Sequence, residues 1–203
     1  GAIFSISNVL IQSSINSFGS VAMAGNTASS NIEGFIYISM NSIYQTSLSF
    51  TSQNYGAKQY DRISKILKIC LGIVICIGLS LGTLALVFRY PLLGIYSSDS
   101  DVIAFGIKRL SIICSTYFLC GIMDVIVGTL RGLGYSMLPM IVSLIGACGL
   151  RILWIFTIFQ YHHTLSMLYI SYPITWIITF CAHMICYFMI KHGKLHPAFE
   201  KHD

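Results

Sequence analysis

Between Lys68 and Arg89 the chain reads Ile69-Cys70-Leu71-Gly72-Ile73-Val74-Ile75-Cys76-Ile77-Gly78-Leu79-Ser80-Leu81-Gly82-Thr83-Leu84-Ala85-Leu86-Val87-Phe88, with no acidic or basic side chain in the run. A helix needs about 20 mainly apolar residues to cross the hydrocarbon of a bilayer, and this stretch has that length and composition. Working outward, residues 1–32, 34–57, 132–150 and 152–190 are equally free of Asp, Glu, Lys and Arg. Only 9% of the 203 residues are charged and 55% are hydrophobic, whereas a soluble domain carries about 25% charged residues. The mean hydropathy is +0.75. This composition excludes a disordered chain, a collagen-like chain and a conventional soluble enzyme. Cys70, Cys76, Cys114, Cys120, Cys148, Cys181 and Cys186 all fall within or at the edges of apolar runs and read as small buried hydrophobes, not as a disulfide framework. The net charge of +5 sits in short loops between apolar segments, where it faces anionic lipid and not nucleic acid.

Turn signals divide the apolar runs. Ser17-Phe18-Gly19-Ser20 breaks the first, Asn54-Tyr55-Gly56 begins a charged loop, Pro91 and Ser97-Ser98-Asp99 close a third helix, and Gly132-Leu133-Gly134 and Tyr161-His162-His163 make two further breaks. The expectation is an all-α membrane protein of six helices, near 1–17, 24–52, 66–89, 103–130, 137–159 and 166–190, with a short tail over 191–203. The runs lack the strict alternation that a lumen-facing strand requires, which excludes a β-barrel. Lys58, Arg62, Lys65, Lys68, Arg131, Lys191, Lys194 and Lys201 fall on one side of the alternating path, against Arg89, Lys108 and Arg109 on the other. By the positive-inside rule the first side, with the carboxyl tail, is cytoplasmic in a multi-pass cell-membrane protein. Gly1 opens within an apolar stretch with no basic flank, which reads as a fragment cut inside its first helix.

The first two helices differ from the third. Ser5, Asn8, Gln12 and Asn16 recur at spacings of three or four, as do Asn26, Ser30, Glu33, Tyr37, Asn41 and Tyr44. Each set forms one polar stripe. Hydrocarbon offers such groups no partners, so the stripes face other helices or a watery cavity. Gly78-x-x-x-Gly82 and Gly128-x-x-x-Gly132 allow close helix approach. Among the ionisable residues, Glu33 and Arg151 both fall near mid-depth and are able to meet. A paired Glu33 is structural; a Glu33 alone in a cavity is placed to take up a proton or bind a cation. Arg151 reads as a clamp on carbonyls or a carboxylate. Asp124, seven residues before Arg131, lies about 10 Å above the cytoplasmic end, where pairing and ion binding are both open to it. Lys108 and Arg109 read as snorkelling to the outer interface. His183 stands alone, His162-His163 lie in a loop, and no metal-site spacing is present. No nucleotide loop or nucleophile elbow is visible either, so neither an enzyme nor an ATP-driven pump is expected.

Three stretches resemble the multidrug and toxic compound extrusion (MATE) family of secondary transporters. The segment Ser52 to Arg62, with Gln53, Gly56 and Ala57, is similar to the family's Gln-x-x-Gly-Ala loop after the second helix of each six-helix lobe. Leu130-Arg131-Gly132 resembles the Leu-Arg-Gly loop after its tenth helix, and Arg151 with Trp154 is similar to the Arg and aromatic residue of its eleventh. Members have two lobes related by a pseudo-twofold axis, and this chain corresponds to helices seven to twelve. The resemblance implies Na⁺- or H⁺-driven antiport of amphipathic, often cationic, compounds by alternating access. It also implies an upstream six-helix lobe as partner and no cofactor beyond the coupling ion. Glu33 is the leading carboxylate, because some members have an acid in the seventh or eighth helix. Asp124 lies about one turn after the usual acid of the tenth. Asn8, Gln12, Tyr37, Asn41 and Arg151 complete the candidate substrate and ion contacts. A flippase for lipid-linked precursors shares the architecture, and enrichment of Arg in the cavity would favour it. A membrane-embedded hydrolase has only the histidines in its support.

Overall fold

The structure is a computed structural model that describes residues 2–193, with side chains from Ser5 onward. The helices are α1 (Ala2–Asn16), α2 (Ser20–Gly56), α3 (Tyr60–Val87), α4 (Arg89–Gly94), α5 (Ser100–Gly132), α6 (Met137–Ser143), a π-helical segment (Leu144–Gly149), α7 (Leu150–Phe156), α8 (Ile158–Tyr161) and α9 (Leu165–Lys191). Among the described residues, four stretches have the length and apolarity to cross a membrane: Tyr60–Val87, Ser100–Gly132, Met137–Tyr161 and Leu165–Lys191. Over the described residues α1 has 15 residues. α2 is longer than any other element, but its polar stripe keeps it below that apolarity. It nevertheless runs the length of α5.

Several helix ends lie elsewhere than the turn signals indicate. Asn54-Tyr55-Gly56 belongs to the last turn of α2, and the loop to α3 shrinks to residues 57–59 because Ala57 N–H and Gln59 N–H close back on Gln53 and Asn54 carbonyls. Gln53 and Gly56 are therefore helical, as are Arg131 and Gly132 in the last turn of α5. The third helix does not end at Pro91, which sits inside the short helix α4. α5 starts at Ser100, where the Asp99 side chain accepts from Asp101 N–H as an N-cap. The tail residues Lys194 and Lys201 lie outside the described residues.

α5 is central. Its glycines mark how the neighbours run. A Cβ on Gly25 would meet Gly106 N, one on Gly128 the Tyr44 carbonyl at 2.8 Å, and one on Gly132 the Leu48 carbonyl at 2.8 Å. These contacts advance together along both chains, so α2 and α5 are parallel. A Cβ on Gly78 would meet Phe118 Cα at 2.8 Å and one on Gly82 the Cys114 carbonyl at 2.5 Å, so α3 is antiparallel to α5. Both small-xxx-small pairs thus act as backbone contacts, in keeping with the sequence reading. α3 buries the stripe Ile63, Leu67, Cys70, Val74, Gly78, Gly82 and Ala85 against this seam. α9 returns antiparallel to the Met137–Tyr161 segment, with His183 beside Ser143 and Thr175 beside Arg151. The ends bearing Lys58, Arg62, Arg131 and Lys191 therefore gather at one end of the bundle, called here the basic end. The larger apolar core joins α2, α3, α5 and α9. A second core at the opposite end joins Ile11, Ile15, Ala22, Ile155, Phe159 and Leu168.

The cysteine expectation holds in part. Cys70, Cys114, Cys120 and Cys148 are buried, whereas Cys76 and Cys181 are exposed on the outer faces of their helices and Cys186 is intermediate. In a bilayer an outward-facing thiol meets acyl chains, which it tolerates as a small hydrophobe.

Candidate functional site

Polar groups line the α2/α5 seam at three levels. Farthest from the basic end, Arg109 on α5 grips Glu33 on α2 with two bonds: Nε donates to Oε1 at 2.8 Å and Nη2 to Oε2 at 2.7 Å. Its remaining Nη1 donates to the Asn26 side-chain oxygen at 2.8 Å. The Ser29 hydroxyl donates to the same Glu33 oxygen, and Tyr169 from α9 donates to Asn26. Glu33 and Arg109 are both buried. The carboxylate is fully engaged by a bidentate cation and a hydroxyl, and it takes no part in lining the cavity.

This corrects two expectations. Arg109 does not snorkel to the interface: α5 begins at Ser100, so Arg109 sits about 14 Å into the helix, and it turns inward to Glu33. Glu33 in turn pairs with Arg109 and not with Arg151. The Asp99 cap was the sequence signal that would have placed the helix start early enough to put Arg109 at depth. Arg151 stands over Tyr172, its guanidinium carbon 4.0 Å from the ring centroid, and donates from Nη2 to Thr175. Tyr172 is thus shared by two guanidiniums, since Arg109 lies 5.4 Å from the same centroid. Arg151, expected to clamp carbonyls or a carboxylate, instead meets a ring and a hydroxyl of α9.

The middle and lower levels open into a cavity of about 300 Å³, lined by Tyr37, Asn41 and Tyr44 of α2, Met123, Asp124, Val127 and Arg131 of α5, and Met140, Ser143 and Ala147 of the segment that follows. At the middle level the Tyr37 hydroxyl and the Asp124 carboxyl line the cavity together and interact electrostatically. At the lower level Arg131 Nη1 donates to the Tyr44 hydroxyl at 2.7 Å, and its guanidinium stands 6.0 Å from the Tyr44 ring centroid. Arg131 is the cation that acts on Asp124 electrostatically, but the two make no ion pair. Below them Ser47 bonds Thr129 and the Val125 carbonyl, tying the helices together.

The structure therefore brings Asp124, Tyr37, Asn41 and Arg131 together and separates them from Glu33 and Arg151. Asn8 and Gln12 are exposed on α1, on the outside of this lobe, with Gln12 bonded to Asn16. Gly132 packs against Thr51 and Leu48, while Gly56 has open space around it and Ala57 is exposed. Tyr44 and Ser143 join the site although sequence reasoning did not place them there. Tyr44 was visible as the last member of the α2 stripe. Ser143 carried no signal, because it reaches the cavity through the geometry of the π-helical segment. Ser143 also meets His183 Nε2 at 3.1 Å, while His183 Nδ1 is buried without a hydrogen-bond partner. A hydrolytic pair needs a third group to orient the imidazole, and nothing reaches Nδ1 here.

Among the described residues, the chain is a helical membrane body in which Asp124, a carboxylate in no ion pair, faces a cavity. The MatE family model matches residues 1–157, and the chain belongs to that family. It is 23% identical over 157 residues to the probable multidrug resistance protein YoeA of Bacillus subtilis, covering 77% of this chain and 34% of that protein. Over 134 residues it is 24% identical to the probable multidrug resistance protein NorM of Aromatoleum aromaticum, covering 66% of this chain and 29% of that one. The chain thus spans about a third of the length of the curated relatives it matches. In fold it superposes on a mutant of the Vibrio cholerae MATE transporter VcmN with a TM-score of 0.84 at 19% identity, over 97% of this chain and 44% of the other. A MOP superfamily transporter from Pyrococcus furiosus gives a TM-score of 0.79 at 14% identity, over 96% and 42%. The chain is a multi-pass membrane protein of MATE type, and the members of that family it matches are transporters.

Proposed function

We propose that this chain is one lobe of a two-lobe exporter that carries amphipathic cations out across the cell membrane in exchange for Na⁺ or H⁺, with Asp124 as the carboxylate that the substrate and the coupling ion occupy in turn. The observation that carries this reading is the contrast between the two intramembrane acids. Glu33 is neutralised by Arg109 at 2.7 Å, whereas Asp124 faces a cavity of about 300 Å³ beside the phenol of Tyr37 and makes no ion pair. Exchange requires a carboxylate that one cation leaves before the next arrives, and only an acid without a fixed counter-ion meets that requirement. Glu33 drops from leading candidate to structural partner. The chain's coverage of less than half of the VcmN chain supports a second lobe. The basic end is then cytoplasmic by the positive-inside rule, and the cavity opens there.

The flippase reading gains less. A phosphate headgroup calls for guanidiniums on the cavity wall, and here Arg109 and Arg151 are buried behind it, leaving Arg131 at the mouth. The test is ethidium export by the natural full-length protein in cells stripped of other efflux. Asp124→Asn should abolish export at normal expression and membrane insertion. Undiminished export by a well-folded Asp124→Asn protein would remove Asp124 from the mechanism.

A further inference from the structure

We propose that Ser143 is a hydrogen-bond donor to the transported cation, aimed into the cavity by His183 behind it, so that the site selects amphipathic cations that also carry a hydrogen-bond acceptor such as an ether or carbonyl oxygen. This deepens the exporter reading and rests on it.

His183 on α9 is completely buried, and its Nε2 lies 3.1 Å from the Ser143 hydroxyl. Its Nδ1 is buried without a hydrogen-bond partner. The side chains one turn away along α9 are committed elsewhere: Thr179 donates to the Thr175 carbonyl at 2.6 Å, and the Tyr187 hydroxyl bonds Ser64 at 3.1 Å. Among the described residues no carboxylate pairs with the imidazole, so the buried ring is neutral and has one N–H to place. A buried N–H without an acceptor is rarer in folded proteins than an acceptor without a donor. The proton therefore belongs on Nε2, where Ser143 receives it, and the bare Nδ1 is the group left unpaired.

That tautomer decides what Ser143 does. Ser39, Ser42 and Thr46 of α2 turn their hydroxyls back to the carbonyl four residues earlier, which uses the proton inside the helix. Ser143 turns instead to an imidazole on another helix, and because it accepts there, its own O–H proton remains to be given. Ser143 also lines the cavity of about 300 Å³, on the segment after α5 and so on a different wall from Asp124. The carboxylate supplies the negative charge and Ser143 the donor, while Met123, Val127 and Met140 supply apolar surface. A cation held at Asp124 gains a hydrogen bond if its body carries an acceptor, whereas an acceptor-free cation takes water from Ser143 and returns nothing. The donor is rigidly placed. Gly146 is packed so tightly on Thr179 that a Cβ would collide with it, which locks α9 against this segment one turn from His183.

Two ammonium ions of one shape separate the acceptor from the charge: benzyldimethyl(methoxyethyl)ammonium has an ether oxygen where benzyldimethylbutylammonium has a methylene. Their Kd values are measured at equilibrium on the purified natural full-length protein, and the ratio of the two is the readout. Ser143→Ala should cut the preference for the ether about two- to tenfold, the net weight of one hydrogen bond. His183→Gln, whose side-chain amide N–H reaches the place of Nε2, should keep the preference. His183→Met should lose it, because the Ser143 hydroxyl is then free to turn back to its own helix. Nitrogen NMR of histidine-labelled protein, with His183 assigned by its loss in His183→Gln, should show a protonated Nε2 and a bare Nδ1. An unchanged ratio in Ser143→Ala overturns the proposal, and so does a bare Nε2 with a protonated Nδ1, since Ser143 would then give its proton to the ring. Asp124→Asn, read with the acceptor-free cation tetraphenylphosphonium, separates this inference from the reading beneath it. Loss of tetraphenylphosphonium binding in Asp124→Asn with an unchanged ratio in Ser143→Ala sinks the donor and leaves the carboxylate. Retained binding in Asp124→Asn with the Ser143-dependent ratio intact sinks the carboxylate and leaves the donor. Binding of none of the three cations by the wild type overturns both.

Discussion

Glu33 and Arg109 make the ion pair of this lobe's interior, and its energetics differ from those of a surface bridge. Two charges buried together offset their desolvation only through good geometry and complete hydrogen bonding, which the two-point contact, Asn26 and Ser29 supply. Removing one partner strands the other. Glu33→Gln or Arg109→Gln should therefore each cost about 3–5 kcal/mol of stability, while Glu33→Gln combined with Arg109→Met should recover most of it. Thermal unfolding of the natural protein in detergent measures this, and single variants as stable as the wild type would contradict the pairing. Both intramembrane acids were legible in the sequence, because an Asp or Glu stands out in an apolar run. Their roles were not. Which acid is neutralised depends on whether a cation from another helix reaches it, and that turns on a helix start set by Asp99 and on the register of α2 against α5.

At the scale of elements, the segment from Met137 to Tyr161 is the least regular. It runs as α-helix, then π-helix over Leu144–Gly149, then α-helix again, and breaks at Thr157. A π-helical stretch places one extra residue in the helix and turns everything before it relative to everything after it. Here it lets Met140, Ser143 and Ala147 face the cavity while Arg151 faces Tyr172. Gly146 is packed so tightly on Thr179 that a Cβ would collide with it. Deleting the exposed Ile145 removes the extra residue, so the segment should close into continuous α-helix with α6 and α7 facing as they do now. The expected outcome is unchanged helicity by circular dichroism with retained tetraphenylphosphonium binding; loss of binding in that deletion would show that the π-helical turn itself shapes the cavity. At the α3/α5 crossing, Gly82→Leu should push the helices apart and lower the unfolding temperature, because the added side chain meets the Cys114 carbonyl. The four stretches with the length and apolarity to cross a membrane were readable as apolar runs bounded by charges and turns. The π-helical segment was not, since Leu144-Ile145-Gly146-Ala147-Cys148-Gly149 is an ordinary apolar string whose winding is imposed by the packing of α9.

For the whole molecule, two surfaces carry the argument. The first is the clustering of Lys58, Arg62, Lys65, Lys68, Arg131 and Lys191 at one end. With that end cytoplasmic, an impermeant thiol reagent should label Asp99→Cys in a cysteine-free background only from outside; labelling from the cytoplasmic side alone would invert the topology. The second is the exposed polar stripe of α1, Asn8, Gln12 and Asn16, which hydrocarbon cannot satisfy. In the two-lobe reading this stripe faces a central cleft and the opposing lobe, and transport comes from the rocking of one lobe against the other about a shared site. The most direct test of that reading uses the 203-residue chain alone, shown to be inserted and monomeric in liposomes, with a Na⁺ or H⁺ gradient imposed across the membrane. The account predicts no gradient-dependent movement of a cationic dye, and recovery of transport when the companion lobe is supplied. Gradient-dependent dye uptake by the monomeric chain would contradict it.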